Sequence, residues 1–101
     1  MSKHTEGPWT WTEKGNEDVV MCPTHIIATI ERRGAGWCSD ARLIAAAPEM
    51  YAALREAESY AELKLEGFRR DYSEDHAMVQ TPLRLLATLR AAIARAEGRD
   101  T

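Results

Sequence analysis

The sequence predicts an α+β fold: a small N-terminal antiparallel sheet of about three strands, followed by a kinked helix and a second antiparallel helix. Three observations predict it. Before residue 38 the chain is rich in β-formers and broken by Gly and Pro. After residue 38 it is rich in Ala, Leu and Glu, with apolar residues at helical spacing. The helical part holds two such stripes separated by a polar stretch, which is the pattern of an αα-hairpin. A single domain over 1–101 follows, with a β-meander at 9–32, a kinked helix at 40–67 and a C-terminal helix at 81–97.

Each element has its own reason. Trp9-Thr10-Trp11-Thr12-Glu13 alternates aromatic and β-branched residues with a period of two, so it reads as a strand with both Trp rings on one face. Lys14-Gly15-Asn16-Glu17 is a turn. Asp18 to Cys22, with Val19, Val20 and Met21, is a second short strand that Pro23 ends, because proline cannot donate to a ladder. His25 to Arg32 is the third strand, with Ile26, Ala28 and Ile30 on one face and Ile27 and Thr29 on the other. Gly34-Ala35-Gly36 breaks the chain, and Ser39 or Asp40 caps a helix. Pro48 suits a first helical turn and not an interior, so two turns of helix, a kink or break near Ala47 and a fresh helix from Pro48 are expected. Met50, Leu54, Ala57, Ala61, Leu65 and Phe68 form its apolar stripe, and Glu56, Glu58, Glu62 and Glu66 an acidic outer face. Residues 69–80 read as a long loop. Thr81-Pro82 starts the last helix, whose stripe is Leu83, Leu86, Leu89 (or Ala92), Ile93 and Ala96, and Gly98 ends it.

Composition excludes several classes. The 101 residues carry 13 basic and 16 acidic side chains, a formal charge of -3, which argues against nucleic acid held on a broad basic face. No apolar run reaches the ~18 residues of a membrane span. The N-terminus lacks the apolar stretch of a secretion signal, and two cysteines make no disulfide framework, so the expected compartment is a reducing cytoplasm.

Two segments carry a resemblance. His4-Thr5-Glu6-Gly7-Pro8-Trp9 resembles the His-Thr-Pro-Gly-Pro-Trp opening of many small bacteriophage and prophage proteins. Residues 40–50, Asp-Ala-Arg-Leu-Ile-Ala-Ala-Ala-Pro-Glu-Met, resemble their Asn-Ala-Arg-Leu-Ile-Ala-Ala-Ala-Pro-Glu-Leu core, and residues 91–98 resemble their usual ending. Glu6 stands in place of proline and Asp40 in place of asparagine, and either Asp or Asn caps a helix. The resemblance implies a phage accessory protein active in the host cytoplasm, and most such proteins have no assigned role. The sheet followed by a helix pair is also similar in outline to phage anti-Thoeris sponge proteins, an analogy of architecture alone. Within the eleven-residue segment the plain reading is structural: Leu43 and Ile44 bury against the sheet, the three alanines admit a close backbone, and Arg42 pairs with Glu49 or an anion.

Chemistry is sparse. Cys22, His25 and Cys38 offer zinc donors, but the paired short spacing of a structural site occurs once, so no metal or other cofactor is assigned. His4, His25 and His76 have no nucleophile in a recognisable motif, and Glu17/Asp18 and Glu74/Asp75 read as solvated turn residues; the expectation is no enzyme. The best ligand site is Arg32, Arg33 and Trp37 with Asp40 and Arg42, because forked guanidinium donors, an aromatic plane and a helix start together suit a phosphate-bearing base. Two arginines at a hairpin exit and a Trp plugging the sheet–helix interface explain the same residues without a ligand. Leu83, Leu85, Leu86 and Leu89 cover more than one helix face, which points to a homo-oligomer. The expected function is a phage binding protein that counters host defence by sequestering a small nucleotide signal or by blocking a host protein through the acidic face. The alternative is a structural or regulatory phage oligomer with no small-molecule ligand.

Overall fold

The computed structural model describes residues 4–31 and 37–99, and of Trp37 and Cys38 it describes the backbone alone. The order of elements is β1 (Thr10–Lys14), β2 (Glu17–Met21), β3 (Ile26–Glu31), α1 (Trp37–Ala45), α2 (Ala47–Asp71) and α3 (Ala77–Ala96). This is the expected α+β arrangement, and the kink or break anticipated near Ala47 is a break that separates α1 from α2. The chain forms two compact units, divided between Met50 and Tyr51.

In the first unit the strands make an antiparallel sheet in the order β1-β2-β3. Trp11 opposes Val20, and Lys14 opposes Glu17 across a two-residue turn. Gly15 opens that turn at φ 62, a conformation that glycine adopts without a Cβ penalty. The alternation expected in β3 fails at one point. Val20 pairs with Ala28 and Met21 with Ile26, so Ile27 is an extra residue and the ladder shifts there. The bulge separates Ile26 from Ala28 and Ile30, and Ile26 is 50% exposed. α1 packs on all three strands. Among its described side chains Ala41 is wholly buried, small enough for a close approach to the sheet, while Leu43 is 60% exposed and Ile44 half-buried. Leu43 therefore does not bury against the sheet as expected. α1 ends at Ala45 and α2 starts at Ala47, with Pro48 in the first turn, where its missing N–H breaks no bond.

The second unit holds α2 from Tyr51 onward and α3, which run antiparallel. Ala61, Leu65, Val79, Leu86 and Leu89 form its buried cluster, with Leu54, Phe68 and Leu83 packed against it, and Ile93 is buried as well. The seam on α2 runs through positions 54, 58, 61, 65 and 68, alternating steps of four and three. It takes Glu58 in place of the expected Ala57, and Met50 is exposed. The long loop expected at 69–80 shrinks to residues 72–76, because α2 continues to Asp71 and α3 starts at Ala77. His76 caps α3: its Nδ1 accepts the Met78 N–H at 3.1 Å. Pro82 thus lies inside the helix and not at its start. Burial of Val79 in the first turn opposes the cost of that proline. α3 ends in a Schellman motif, with Gly98 at φ 73, Arg99 N–H donating to the Ala94 carbonyl at 2.8 Å and Gly98 N–H to Arg95 at 3.1 Å.

Candidate functional site

The five residues singled out from sequence meet the structure unevenly. Arg32 and Arg33 lie outside the described residues, as does the Trp37 side chain; the Trp37 backbone opens α1. Asp40 is exposed in the first turn of α1. Arg42, one half-turn further on, lies with its guanidinium carbon 5.6 Å from the centre of the Trp11 ring. A cation over an indole face at this distance is attracted by the ring quadrupole, about 0.5–1 kcal/mol at an exposed site. The contact spans 31 residues of sequence and depends on α1 packing over β1, so neither residue alone reveals it. Trp11 was legible as a strand aromatic and Arg42 as a helical cation; their pairing was not. Trp9 precedes β1 and points its indole N–H to the Thr5 carbonyl at 3.1 Å.

A second group gathers in the turn between β2 and β3. The Cys22 N–H donates to the His25 carbonyl at 3.0 Å and closes the turn. Inside it the Cys22 Sγ lies 3.4 Å from the Thr24 hydroxyl and 3.3 Å from His25 Nδ1, while Thr24 Oγ1 lies 2.9 Å from the same Nδ1. The hydrogen bond from Thr24 lowers the Cys22 pKa below its ordinary 9.0, against the opposing effect of burial. Among the described residues no group of three or more His, Cys, Asp or Glu side chains is placed to hold a metal ion.

Asp18 is a buried residue that the sequence reading missed. Glu17 and Asp18 were both expected in solvent, yet Asp18 is fully buried on β2, opposite Glu13 and Ile30. The signal was present in the pattern: Asp18 and Val20 share one face of the strand, two residues apart. The other acidic pair is exposed as expected, with Glu74 bridged to Arg69 at 2.6 Å and Asp75 accepting from Ser73 at 2.7 Å.

In the helical unit charged groups collect on one side of the seam. Arg90 reaches Glu58 at 3.2 Å and Glu62 at 3.3 Å. Glu58 was expected on an outer acidic face; it lies at a seam position and its side chain is 17% exposed. Near the end of the hairpin the Tyr51 hydroxyl donates to Glu97, which also meets Arg99 and, at 3.9 Å, Arg55. The Tyr51 bond, helped by Arg99, lowers the Glu97 pKa, and the same bond raises that of Tyr51.

The comparison with known families adds the decisive observation. Residues 1–100 match the family described as Salmonella phage P22 protein Y8K6. The chain belongs to this family. The phage origin implied by the two sequence segments is thereby established for the whole length, whereas the segments themselves are a resemblance and no more. No curated protein and no solved structure matches the chain significantly. No helix among the described residues is long and apolar enough to cross a membrane.

Proposed function

We propose that this phage protein is a binding protein that performs no covalent chemistry, acts in the host cytoplasm and counters host defence by taking up a small nucleotide signal. The observation that supports this reading is Arg42 held over the Trp11 ring; Asp40, exposed two residues earlier on α1, adds a carboxylate nearby in the chain. A guanidinium brings forked donors suited to an anion, and an indole beside it offers an aromatic plane for a base. Asp40 would accept from a base amine or a ribose hydroxyl. Arg32, Arg33 and Trp37 belong to the proposal by sequence alone, as further guanidinium and aromatic groups for a phosphate-bearing base.

Blocking a host protein through an acidic helical face has weaker support, since Glu58 and Glu62 are engaged by Arg90 within the hairpin. The second reading, a structural or regulatory phage oligomer without a small ligand, is favoured by the exposed apolar side of that hairpin. Equilibrium dialysis against cyclic mono- and dinucleotides tests the first reading. The wild-type protein is expected to bind at least one, with affinity reduced at least ~10-fold by Arg42→Ala and by Trp11→Ala. Absence of binding to every member, or binding unchanged by both substitutions, contradicts it.

A further inference from the structure

The helical hairpin has two unlike sides. One bears the ion pairs of Arg90 with Glu58 and Glu62, and a cleft there is lined by Glu62, Glu66, Arg69 and Arg90 beside Leu65, Leu83 and Leu86. The other side carries a shallow groove of about 300 Å³ lined by Tyr60, Ala61, Lys64, Phe68, Thr81, Pro82 and Leu85. Lys64 is the charged residue of that lining, and its ammonium lies 5.5 Å from the centre of the Tyr60 ring. We propose that this groove side is where a second copy of the chain docks, so that two hairpins form a four-helix bundle about a two-fold axis. The proposal gives the oligomer reading a surface and rests on it; it stands whether or not a nucleotide binds.

Three observations carry it. The first is pattern. On α3 positions 78, 81, 85, 88 and 92 alternate steps of three and four, making a stripe next to the buried seam: Met78, Thr81, Leu85, Thr88 and Ala92. On α2 positions 53, 57, 60, 64 and 67 do the same: Ala53, Ala57, Tyr60, Lys64 and Gly67. A second stripe beside the first is what a helix needs when it has neighbours on two sides.

The second is texture. Tyr60 is 62% exposed and Leu85 50% exposed, and both stand among small residues, Ala57, Gly67, Thr88 and Ala92. A two-fold contact uses the same patch twice, so it must offer both projections and the hollows that receive them. This face offers both. A heterologous partner chosen by charge would need a charged rim, and the lysine in this groove already faces its own tyrosine.

The third is area. The 20 residues of α3 give a face ~30 Å long at ~1.5 Å rise per residue. Two helices side by side make it ~20 Å wide, so a copy buries ~600 Å², near the ~800 Å² per partner of a standard stable interface. The hairpin alone buries one narrow seam, and small helical units with such cores commonly gain stability by association.

Sedimentation equilibrium on the full chain at tens of micromolar tests the proposal. A dimer is expected for the wild type. Tyr60→Glu and Leu85→Glu should each raise its dissociation constant at least ~100-fold, since each places a carboxylate in an apolar contact. Both positions are solvent-facing within one chain, so helicity by circular dichroism should be retained. Glu66→Arg, on the ion-paired side, should leave the dimer intact. A monomeric wild type, or a dimer that survives both glutamates, overturns the proposal. Because mass is read apart from any bound nucleotide, failure here is distinct from failure of the nucleotide reading.

Discussion

Cys22 shows how a local turn changes the chemistry of one atom. The thiol shares hydrogen-bonding contacts with Thr24 and His25, and Thr24 contributes most to lowering its pKa. Thr24→Val should move the thiol upward toward 9.0, read as the thiolate absorbance near the far ultraviolet during a pH titration in a Cys38→Ser background. An unchanged titration contradicts the assigned cause. Tyr51 and Glu97 form a second such pair. The Glu97 pKa is depressed, so the stability it contributes is complete above 4.5 and is lost as pH falls through the lower folded value. The Tyr51 pKa is raised, so its contribution is complete below 10.0 and is lost as pH rises through the higher folded value. Tyr51→Phe should therefore lower the melting temperature by a constant amount between those limits, with the difference shrinking on both flanks. A difference that is absent at pH 7, or that widens in acid, contradicts the pairing. At this scale the sequence was least legible. Thr24 and His25 are close to Cys22 in the chain, but the turn geometry that brings the three polar atoms together is invisible in spacing. Asp18 was misread because its neighbour Glu17 made the two look like a solvated pair.

At the scale of elements, hydrophobic period and punctuation carried most of the information. The Trp-Thr alternation gave β1, the glycine turn gave its pairing with β2, and Gly98 marked the end of α3. Two failures have physical causes. The extra residue at Ile27 flips Ile26 relative to Ala28, and a bulge leaves no mark in a run of apolar residues. Thr81-Pro82 looked like a helix start, yet His76 caps five residues before Thr81 would, and Val79 buried in that first turn holds it. Glu58 replaced Ala57 in the seam because a helix flanked by Arg90 can bring a glutamate's stem inward while its carboxylate stays bonded. Leu86, 1% exposed at the centre of the seam, is the position where loss should be largest. Leu86→Ala should cost about 2–5 kcal/mol in chemical denaturation. A cost under about 1 kcal/mol would mean that the hairpin core is not the close-packed seam described.

At the scale of the molecule, the chain assembles a sheet–helix unit and a helical hairpin, and the two differ in what they expose. The first presents a cation–aromatic pair of Arg42 and Trp11; the second presents a face with small and large side chains interspersed and Lys64 as its charged residue. Fold class and the division near residue 38 were legible from composition, because β-formers and helix-formers separate cleanly along the chain. The contact of Arg42 with Trp11 was not, since it joins two residues across three strands' worth of sequence. The most direct measurement of the central claim is native mass spectrometry of the protein isolated from phage-infected cells. The predicted result is a species carrying the mass of a nucleotide, which is released chemically unchanged on acid denaturation and is missing from the Arg42→Ala variant. Protein that emerges bare and stays bare after incubation with cyclic nucleotides, or a nucleotide returned chemically altered, would contradict the claim of binding without catalysis.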